Sequence, residues 1–447
     1  MNCKATVEDL EVDLKEYYYN VFDKLKNTFE HSHYVLGYGD DLRIRDISQG
    51  RQARPETALP VTVEPLDQLW DLTVNWGLEV FIPVVGKNSS AILSCLDYEI
   101  YLDDTKRLYA DKGSQHHYFH NYIGPVTGFI GDKLEQYNIP YMADLTPSGG
   151  HFLFWVNEGT EEWNELASIG CLEEDLKAAY NFHDHNDLKR NPKIKMGAGY
   201  VYSGLGRLWE YLSHEAVNNV TVGSKELPLT LSSHLNKCVN MDITQYADPA
   251  YMRIMRAPFS AHKKRNKVVP GANPLVDIVL WHYNGKEKVG EMNFENLIDC
   301  MWDHEKAVEH SKQFTGHIPA ANKNLTKLVH EYKNSELYKF HQDFDCHPDL
   351  NKQEAFHRAI NDQRLDDKTR SVLEHPNPRS KNPRALVRFI NNLLENDWHP
   401  KHIGNLIADL YEQPQHDWNG DNWMKYPSRT RANFWARIYS GIALVKD

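Results

Sequence analysis

Two acidic residues inside an apolar segment are the first sign of chemistry in this chain. Asp97 and Glu99 lie in the stretch ILSCLDYEIYL, residues 92–102, whose composition is typical of a strand. Residues two apart on a strand project from the same face, so the two carboxylates would stand side by side. Adjacent like charges are costly unless a cation compensates them, and hard oxygen ligands suit Mg²⁺ or Mn²⁺. A metal site is one interpretation and a solvated strand edge is the other.

A second candidate site is the turn Ser148-Gly-Gly-His151, which leads into the apolar stretch FLFWV. The glycines permit close approach of a ligand to the backbone, and a serine hydroxyl with free N–H groups can hold phosphate. His151 would then lie at the mouth of the strand. An ordinary hairpin turn with a structural histidine explains the same residues.

The third feature is Asp242 followed by a basic segment. Asp242 is either a third acidic ligand or a helix N-cap. Residues 250–268, AYMRIMRAPFSAHKKRNKV, contain no acidic residue in a chain of net charge -12. A cationic, apolar-interleaved segment in an acidic chain predicts an anionic partner, either a triphosphate or a nucleic-acid backbone.

In their order, these three motifs resemble the archaeo-eukaryotic primase superfamily. D-x-E on a strand comes first, S-G-G-H before a strand follows, and R-x-x-R-A-P-F-S-A-H-K-K comes after an acidic residue. The last motif is similar to the small catalytic subunit of replicative primases. The resemblance covers roughly residues 75–285. It implies an α+β catalytic core, an RRM-like sheet with flanking helices, that joins NTPs or dNTPs on a DNA template.

The resemblance also implies residue roles. Asp97, Glu99 and Asp242 would be the catalytic carboxylates that hold two Mg²⁺ or Mn²⁺ ions. The nucleotide site would comprise Ser148, Gly149, His151, Arg256, Ser260, His262 and Lys263. Contacts to nucleic acid would come from Arg253, Lys264 and Arg265. Asp103 and Asp104 are a rival acidic pair, and we prefer Asp97 and Glu99 because they lie inside the apolar strand.

Periodicity predicts the elements that must position these residues. Helices are expected over 1–30, 117–138 with a disturbance at Pro125, 161–181 and 204–215. Strands are expected over 78–85, 92–102, 141–145, 152–156, 251–259 and 275–283. Residues 31–62, with Arg43, Arg45, Arg51 and Arg54, are expected to be irregular. After residue 290 the strand signal fades, and six helical stretches are predicted: 291–312, 320–344, 351–375, 383–396, 400–412 and 428–444.

We therefore predict an N-terminal segment (1–65), a catalytic domain (66–290) and an all-α C-terminal domain (291–447). The C-terminal stretch resembles a helical segment of some bacterial proteins with a primase-like core. Its cations and aromatics would either meet nucleic acid or, as we prefer for most aromatics, form the core of a small bundle. These residues are Arg429, Arg431, Arg437, Trp423, Tyr426, Phe434 and Trp435.

Zinc has several candidate ligands but no convincing site. The candidates are His116, His117, His120, His183, His185, Cys171 and Cys238, and no pair has the spacing of a structural zinc site. A satisfied polar turn is the preferred interpretation. The six cysteines form no CxxC pair, which favours free thiols in a reducing compartment.

The sequence thus predicts a DNA primase or primase-polymerase acting on a single-stranded template with NTP or dNTP. No GxxxxGK[ST] motif occurs, so unwinding would need a separate helicase. No apolar run reaches the length of a membrane span and the N-terminus lacks a signal peptide, so we expect a cytoplasmic protein, nucleoid or replicon associated. The alternatives are a catalytically inert relative that binds nucleic acid and a metal-dependent nuclease.

Overall fold

A computed structural model describes most of the 447-residue chain. The described residues are 7–32, 35–38, 44–46, 51–53, 69–104, 106–181, 194–223, 227–232, 235–412 and 427–445.

A seven-stranded sheet forms the centre of the fold, in the order β14-β13-β6-β7-β5-β9-β8. Its strands are β5 (Ala91–Tyr101), β6 (Tyr141–Thr146), β7 (Gly149–Asn157), β8 (Leu229–Leu231), β9 (Cys238–Asp242), β13 (Ile278–Tyr283) and β14 (Lys288–Gly290). Neighbouring strands are antiparallel except β8 and β9, which are parallel, so the sheet is mixed. The longest strand, β5, lies between β7 and β9 and contains both residues of the D-x-E motif.

Two smaller sheets complete the β structure. The order β10-β4-β1-β2-β3 joins β1 (Leu36–Tyr38), β2 (Ile44–Asp46), β3 (Arg51–Ala53), β4 (Glu79–Pro83) and β10 (Ile254–Arg256). β11 (Ala261–His262) pairs with β12 (Leu275–Val276). The strands β10 and β11 both come from the basic segment, which is therefore folded into the β structure.

Seventeen α-helices are present in the described part of the chain. The first eight are α1 (Val7–Asn27), α2 (Lys106–Ala110), α3 (Lys112–Tyr118), α4 (Gly124–Gln136), α5 (Glu161–Ile169), α6 (Glu174–Asn181), α7 (Met196–Asn219) and α8 (Lys264–Val268). The remaining nine are α9 (Phe294–Trp302), α10 (His304–Ser311), α11 (Leu325–Lys333), α12 (Glu336–Cys346), α13 (Lys352–Asn361), α14 (Asp367–Glu374), α15 (Pro383–Glu395), α16 (Pro400–Glu412) and α17 (Ser428–Leu444).

One face of β5 is closed by helices. On α7, the indole N–H of Trp209 donates to Ser94 Oγ at 2.9 Å. On α4, the hydroxyl of Thr127 lies 2.9 Å from that of Tyr98. Ser94, Leu96 and Tyr98 are buried on this face. Because side chains alternate along a strand, Asp97 and Glu99 must point to the other face.

The N-terminal helix α1 holds the smaller sheets in place through two buried tyrosines. The hydroxyl of Tyr18 donates to the carbonyl of Leu78 at 2.6 Å and accepts from the amide of Ala261 at 2.9 Å. The hydroxyl of Tyr17 donates to the carbonyl of Phe259 at 3.0 Å. The segments leading into β4 and β11 are thereby fixed by side chains from about 60 and 240 residues earlier in the chain.

Most predicted elements are confirmed in type and place, and the coarse α+β class with a helical C-terminal region is confirmed. Residues 31–62 were expected to be irregular, and that expectation is wrong for β1, β2 and β3, which are too short to show a period. The expected strand 251–259 is a strand only over Ile254–Arg256, because Ala250–Met252 form a 3₁₀ turn. The disturbance expected at Pro125 is a π-helical turn over Phe119–Ile123, directly before α4.

The C-terminal helices contact the α/β part of the chain through buried charged groups on α7. Arg207 forms a bidentate ion pair with Asp345 of α12, with N–O distances of 2.6 and 2.8 Å. Glu210 accepts a hydrogen bond from His341 at 3.1 Å and pairs with Arg437 of α17 at 3.1 Å. These contacts join α12 and α17 to α7. The exact domain boundaries stay a prediction.

The aromatic residues of α17 lie in the interior, as a bundle core requires. Phe434 and Trp435 are buried. Arg429 and Arg431 pair with Asp349 at 2.9 Å and Asp248 at 3.1 Å. Trp423 and Tyr426 lie outside the described residues, as do the side chains of the N-terminal arginine cluster. None of the described helices is both long and apolar enough to cross a membrane.

We expect Asp345→Ala to lower the free energy of unfolding by about 3–5 kcal/mol, because it leaves the buried Arg207 guanidinium unpaired. Denaturant unfolding of the full chain measures this. The matched control on the same helix is Glu336→Ala, whose ion pair with Lys339 is on the surface and is worth less than about 1 kcal/mol. Equal losses in the two variants would contradict a structural role for the Arg207–Asp345 pair.

We also expect His341 to make stability depend on pH. Burial lowers its pKa to about 4, although the neighbouring Glu210 opposes this. In the unfolded chain His341 therefore becomes protonated below about pH 6.5. In the folded chain it becomes protonated only below about pH 4. The contribution of His341 to the free energy of unfolding is complete above about pH 6.5 and falls by on the order of 3 kcal/mol as the pH drops to 4.

His341→Gln should lose less stability than wild type between pH 7 and pH 4.5, measured by urea unfolding at each pH. The exposed His375→Gln should behave as wild type does. The same pH dependence in wild type and His341→Gln would rule out this histidine as the cause.

Candidate active site

A row of four polar side chains crosses the central sheet. In the strand register, Asp144 of β6 lies opposite His151 of β7, His151 lies opposite Asp97 of β5, and Asp97 lies opposite Asp242 of β9. Residues directly opposite each other on neighbouring strands project from the same face. The fold therefore brings Asp97, Asp242 and His151 together, although residues 97 and 242 are far apart in sequence.

Within this row His151 is held between two carboxylates. Its Nδ1 lies 2.8 Å from Asp144 Oδ1, which also accepts the backbone N–H of His151 at 3.1 Å. Its Nε2 lies 3.8 Å from Asp97 Oδ1. Burial disfavours the charged ring, but the charges of Asp144 and Asp97 outweigh it and raise the pKa of His151 to about 9. The imidazolium form is thus favoured at neutral pH.

Glu99 extends the row along β5. It lies opposite Asn240 of β9 and Gly149 of β7, two residues from Asp97 and on the same face. Burial, followed by the charge of Asp242, raises the pKa of Glu99. Burial also raises the pKa of Asp97, which the charge of His151 opposes and the charges of Glu99 and Asp242 reinforce. The carboxylates crowd one another, and a cation would relieve this.

The carboxylates of Asp97, Glu99 and Asp242 are partly accessible, but their oxygens do not converge on one point. The side chain of Asp97 is 31% exposed. Among the described residues, no lysine or arginine lies within ion-pair distance of Asp97, Glu99 or Asp242, although the charge of Lys264 acts on Glu99 from further away. The ligand atoms of these three residues do not all lie within 4.8 Å of one another, so side-chain rotation would be needed to share an ion.

The turn before His151 is a tight hairpin between β6 and β7, closed by Pro147 and Ser148. The carbonyl of Ser148 accepts the amide of Ile100 at 2.8 Å. A Cβ on Gly149 would lie 1.8 Å from the carbonyl oxygen of Tyr98, and one on Gly150 would lie 2.5 Å from that of Asp144. The glycines are therefore required by the close approach of β5 and β6. Contact of Ser148 or Gly149 with a nucleotide stays a prediction.

Arg256 is held by acidic partners. Its guanidinium lies 3.1 Å from Glu79 Oε2 and 3.4 Å from Asp277 Oδ2, and it covers the ring of Phe81. Asp277 is fully buried, and its charge acts on His151. Burial raises the pKa of Asp277, which the charge of Arg256 opposes. Arg256 thus links the smaller sheet to the polar row.

The residues after Arg256 form a constrained turn. Phe259 adopts φ 67°, a left-handed conformation that is energetically costly for a bulky non-glycine residue. Ser260 Oγ accepts the amide of Val80 at 2.9 Å. His262 is buried, its Nδ1 has no hydrogen-bond partner within the described structure, and burial lowers its pKa well below the usual value. The amide of Lys263 donates to Glu79.

The three residues predicted to contact nucleic acid differ in accessibility. Arg253 is occupied by the carbonyls of Thr244 and Gln245 and by Asp248. Arg265 donates to the carbonyls of Tyr109 and Asn273 and stacks over Trp302 at 4.0 Å. Lys264 alone of the three is exposed, and its charge reaches Glu99. Arg253 and Arg265 have structural partners, whereas Lys264 is accessible to an anion.

Sequence reasoning missed three residues of this site: Asp144, Asp277 and Glu79. Asp144 and Asp277 are fully buried, and each carries an oxygen without a hydrogen-bond partner among the described residues. The signal for Asp144 was available, because it is the one charged residue in the apolar strand YMADLT. The rival pair, Asp103 and Asp104, is exposed in the turn after β5, where Asp103 pairs with Lys237 at 2.9 Å.

The zinc candidates among the described residues do not assemble into a site. His116, His117 and His120 lie on α3 and the following π turn, while His183 and His185 fall outside the described residues. Among the described candidates, none belongs to a group of three potential ligands; these candidates are His116, His117, His120, Cys171 and Cys238. The five described cysteines are free thiols.

Comparison with protein-family models, with curated proteins and with solved structures gives no match.

We expect Gly149→Ala to destabilise the fold by at least about 3 kcal/mol, because the new methyl group would overlap strand backbone that cannot move aside. Thermal unfolding checks this. Gly197→Ala, where a Cβ meets only the far edge of Trp163 at 3.9 Å, is the control and should be neutral or slightly stabilising. A Gly149→Ala protein as stable as wild type would show that β5 and β7 are further apart.

Proposed function

We propose that this chain is a template-directed nucleotidyltransferase of the archaeo-eukaryotic primase type, a DNA primase or primase-polymerase. The observation that carries the proposal is the register of β7, β5 and β9. It aligns Asp97, Asp242 and His151 on one face of a sheet, with Glu99 two residues away. The D-x-E motif, the histidine of the S-G-G-H motif and Asp242 thus lie on one face of the sheet.

The donor set fits two divalent cations. Asp97, Glu99 and Asp242 supply only oxygen ligands, the charges of Lys264 and His151 only partly offset their mutual repulsion, and Asp97 remains partly exposed. Mg²⁺ and Mn²⁺ prefer such ligands. When bound, the ions would lower the charge on the triphosphate and activate the attacking 3′-hydroxyl. Asp97, Glu99 and Asp242 would hold them.

Around the carboxylates, this chain's own groups suit a triphosphate. His151, kept protonated and oriented by Asp144, presents Nε2 beside Asp97 and would donate to a phosphate oxygen. Lys264 is the accessible cation near Glu99. Arg256, Ser260 and Lys263 are anchored in the adjacent turn, and their contact with a nucleotide stays a prediction. In-line displacement of pyrophosphate requires no covalent protein nucleophile.

Two alternatives use the same residues differently. An inert relative would bind nucleic acid without joining nucleotides, and the intact alignment of three carboxylates with His151 argues against it. A metal-dependent nuclease also needs clustered carboxylates, but it has less need of a protonated histidine and a strained basic turn beside them. The proposal also includes a single-stranded DNA template, NTPs or dNTPs as substrates, and a separate helicase for unwinding.

The test is extension of a labelled primer on a single-stranded template with Mg²⁺ or Mn²⁺ and either NTPs or dNTPs. We expect Asp97→Asn and Asp242→Asn to lose at least about 100-fold in rate, since metal stabilisation of developing charge is worth several kcal/mol. The matched control is Asp103→Asn, which removes an exposed carboxylate just past the end of β5 and should keep wild-type activity.

Each alternative has its own result. Wild type that binds DNA but extends no primer under any of these conditions would favour the inert relative. Template shortening that requires Asp97, without nucleotide binding in the absence of DNA, would favour the nuclease. Omitting the primer then separates priming from extension.

A further inference from the structure

A second group of metal-ligand side chains lies in the C-terminal helical region, outside the proposed active site. Asp343, His347 and His399 each offer one ligand atom, and these atoms all lie within 4.8 Å of one another. The described residues contain no other such group of three. The imidazoles of His347 and His399 are stacked with ring centroids 3.4 Å apart and an interplanar angle of 11°.

Local structure fixes all three residues. Asp343 lies in the last turn of α12, and His347 caps that helix with its amide donating to the carbonyl of Asp343 at 3.0 Å. The spacing of four residues puts both side chains on one side of the helix end. His399 directly precedes α16, which begins at Pro400. The site therefore spans the end of one helix and the start of another.

Hydrogen bonding fixes the orientation of His399. Its Nδ1 accepts the backbone N–H of Lys401 at 3.1 Å, so the proton of the neutral ring is on Nε2. Nε2 lies 2.9 Å from Asp343 Oδ2. Binding of a metal ion at Nε2 would displace this proton, and the ring would then carry its proton on Nδ1, so the contact of Nδ1 with the Lys401 amide would have to break.

The site is open to solution. The side chain of Asp343 is 68% exposed and that of His399 is 19% exposed. His402 lies beside the group, with its ring 4.7 Å from that of His347, but its Nε2 lies 3.2 Å from the carbonyl of Pro348. The nearly parallel rings of His347 and His399 must turn relative to each other before both can point at one ion, and a water molecule can then take the fourth position of a tetrahedral ion.

We propose that Asp343, His347 and His399 bind one Zn²⁺ ion. Two imidazole nitrogens and one carboxylate oxygen suit zinc, whereas Mg²⁺ and Mn²⁺ prefer oxygen ligands throughout. Ligands about 2.1 Å from a tetrahedral ion are roughly 3.4 Å apart, so the side chains must rotate to close the present spacing of up to 4.8 Å. This group of three ligands includes none of the carboxylates of the central sheet.

The consequence of zinc binding is a cross-link between α12 and α16. The same helix α12 carries Asp345 and His341, which contact Arg207 and Glu210 of α7. A bound ion would therefore stiffen the helix that connects the C-terminal region to the sheet. Because an ion that binds only the folded state stabilises it by mass action, zinc should raise the unfolding temperature.

The experiment is a calorimetric titration of Zn²⁺ into untagged, chelator-treated full-length protein, with Co²⁺ absorption spectra as a second reading of tetrahedral coordination. We expect one zinc ion per chain in the C-terminal site. His347→Ala, His399→Ala and Asp343→Asn should each weaken binding by at least about 10- to 100-fold, which is the cost of losing even an outer-shell partner. They should also abolish the zinc-induced rise in unfolding temperature.

The matched control is His330→Ala, which removes a 61% exposed histidine from α11. Asp97→Asn should also retain this zinc binding. Zinc affinity unchanged in all three site variants, or no binding by wild type, would overturn the proposal. Asp343→Asn is isosteric and lies at an exposed position, so it should fold as wild type does. A loss of zinc binding in this variant would therefore not be due to misfolding. The titration uses no nucleotide, so its outcome is independent of the proposed nucleotidyl transfer.

Discussion

The pairing of β5 with β7 on one side and β9 on the other is the interaction on which the rest of the site depends. The register that aligns Asp97 with His151 and Asp242 is the one in which β5 turns Ser94, Leu96 and Tyr98 toward the helices and Asp97 and Glu99 away from them. Three like charges and a histidine on one face are unfavourable for folding on their own. The apolar opposite face, sealed by α7 and α4, supplies the burial that holds β5 in this register.

The smaller sheets hold the basic segment, residues 250–268, against the acidic central sheet. Arg256 is satisfied by Glu79 and Asp277, and the turn after it is anchored by Tyr17 and Tyr18 from the N-terminal helix. The strained backbone of Phe259 is thereby tolerated. Two of the cations that the sequence assigned to ligands, Arg253 and Arg256, are thus also part of the framework that positions the accessible groups.

The sequence predicted the elements whose formation depends on neighbouring residues. The central strands and C-terminal helices follow clear hydrophobic periods, and the order of Asp97, His151 and Asp242 suggested a common site before any register was known. The short strands β1 to β3 were missed because three residues cannot show a period. Asp277, Glu79 and the group at Asp343 could not be foreseen, because their meaning arises from contacts between distant segments. His399, for example, meets Asp343 only after α12 and α16 have packed.

The hairpin between β6 and β7 limits how this chain can change in length. Only Pro147 and Ser148 separate the two strands, and Gly149 already lies against the backbone of β5. Inserting or deleting a single residue between Gly149 and His151 would turn His151 toward the helices and bring a neighbour into the row in its place. Related sequences should therefore vary freely in the residues that cover the sheet, yet keep the number of residues between Asp144 and His151 constant.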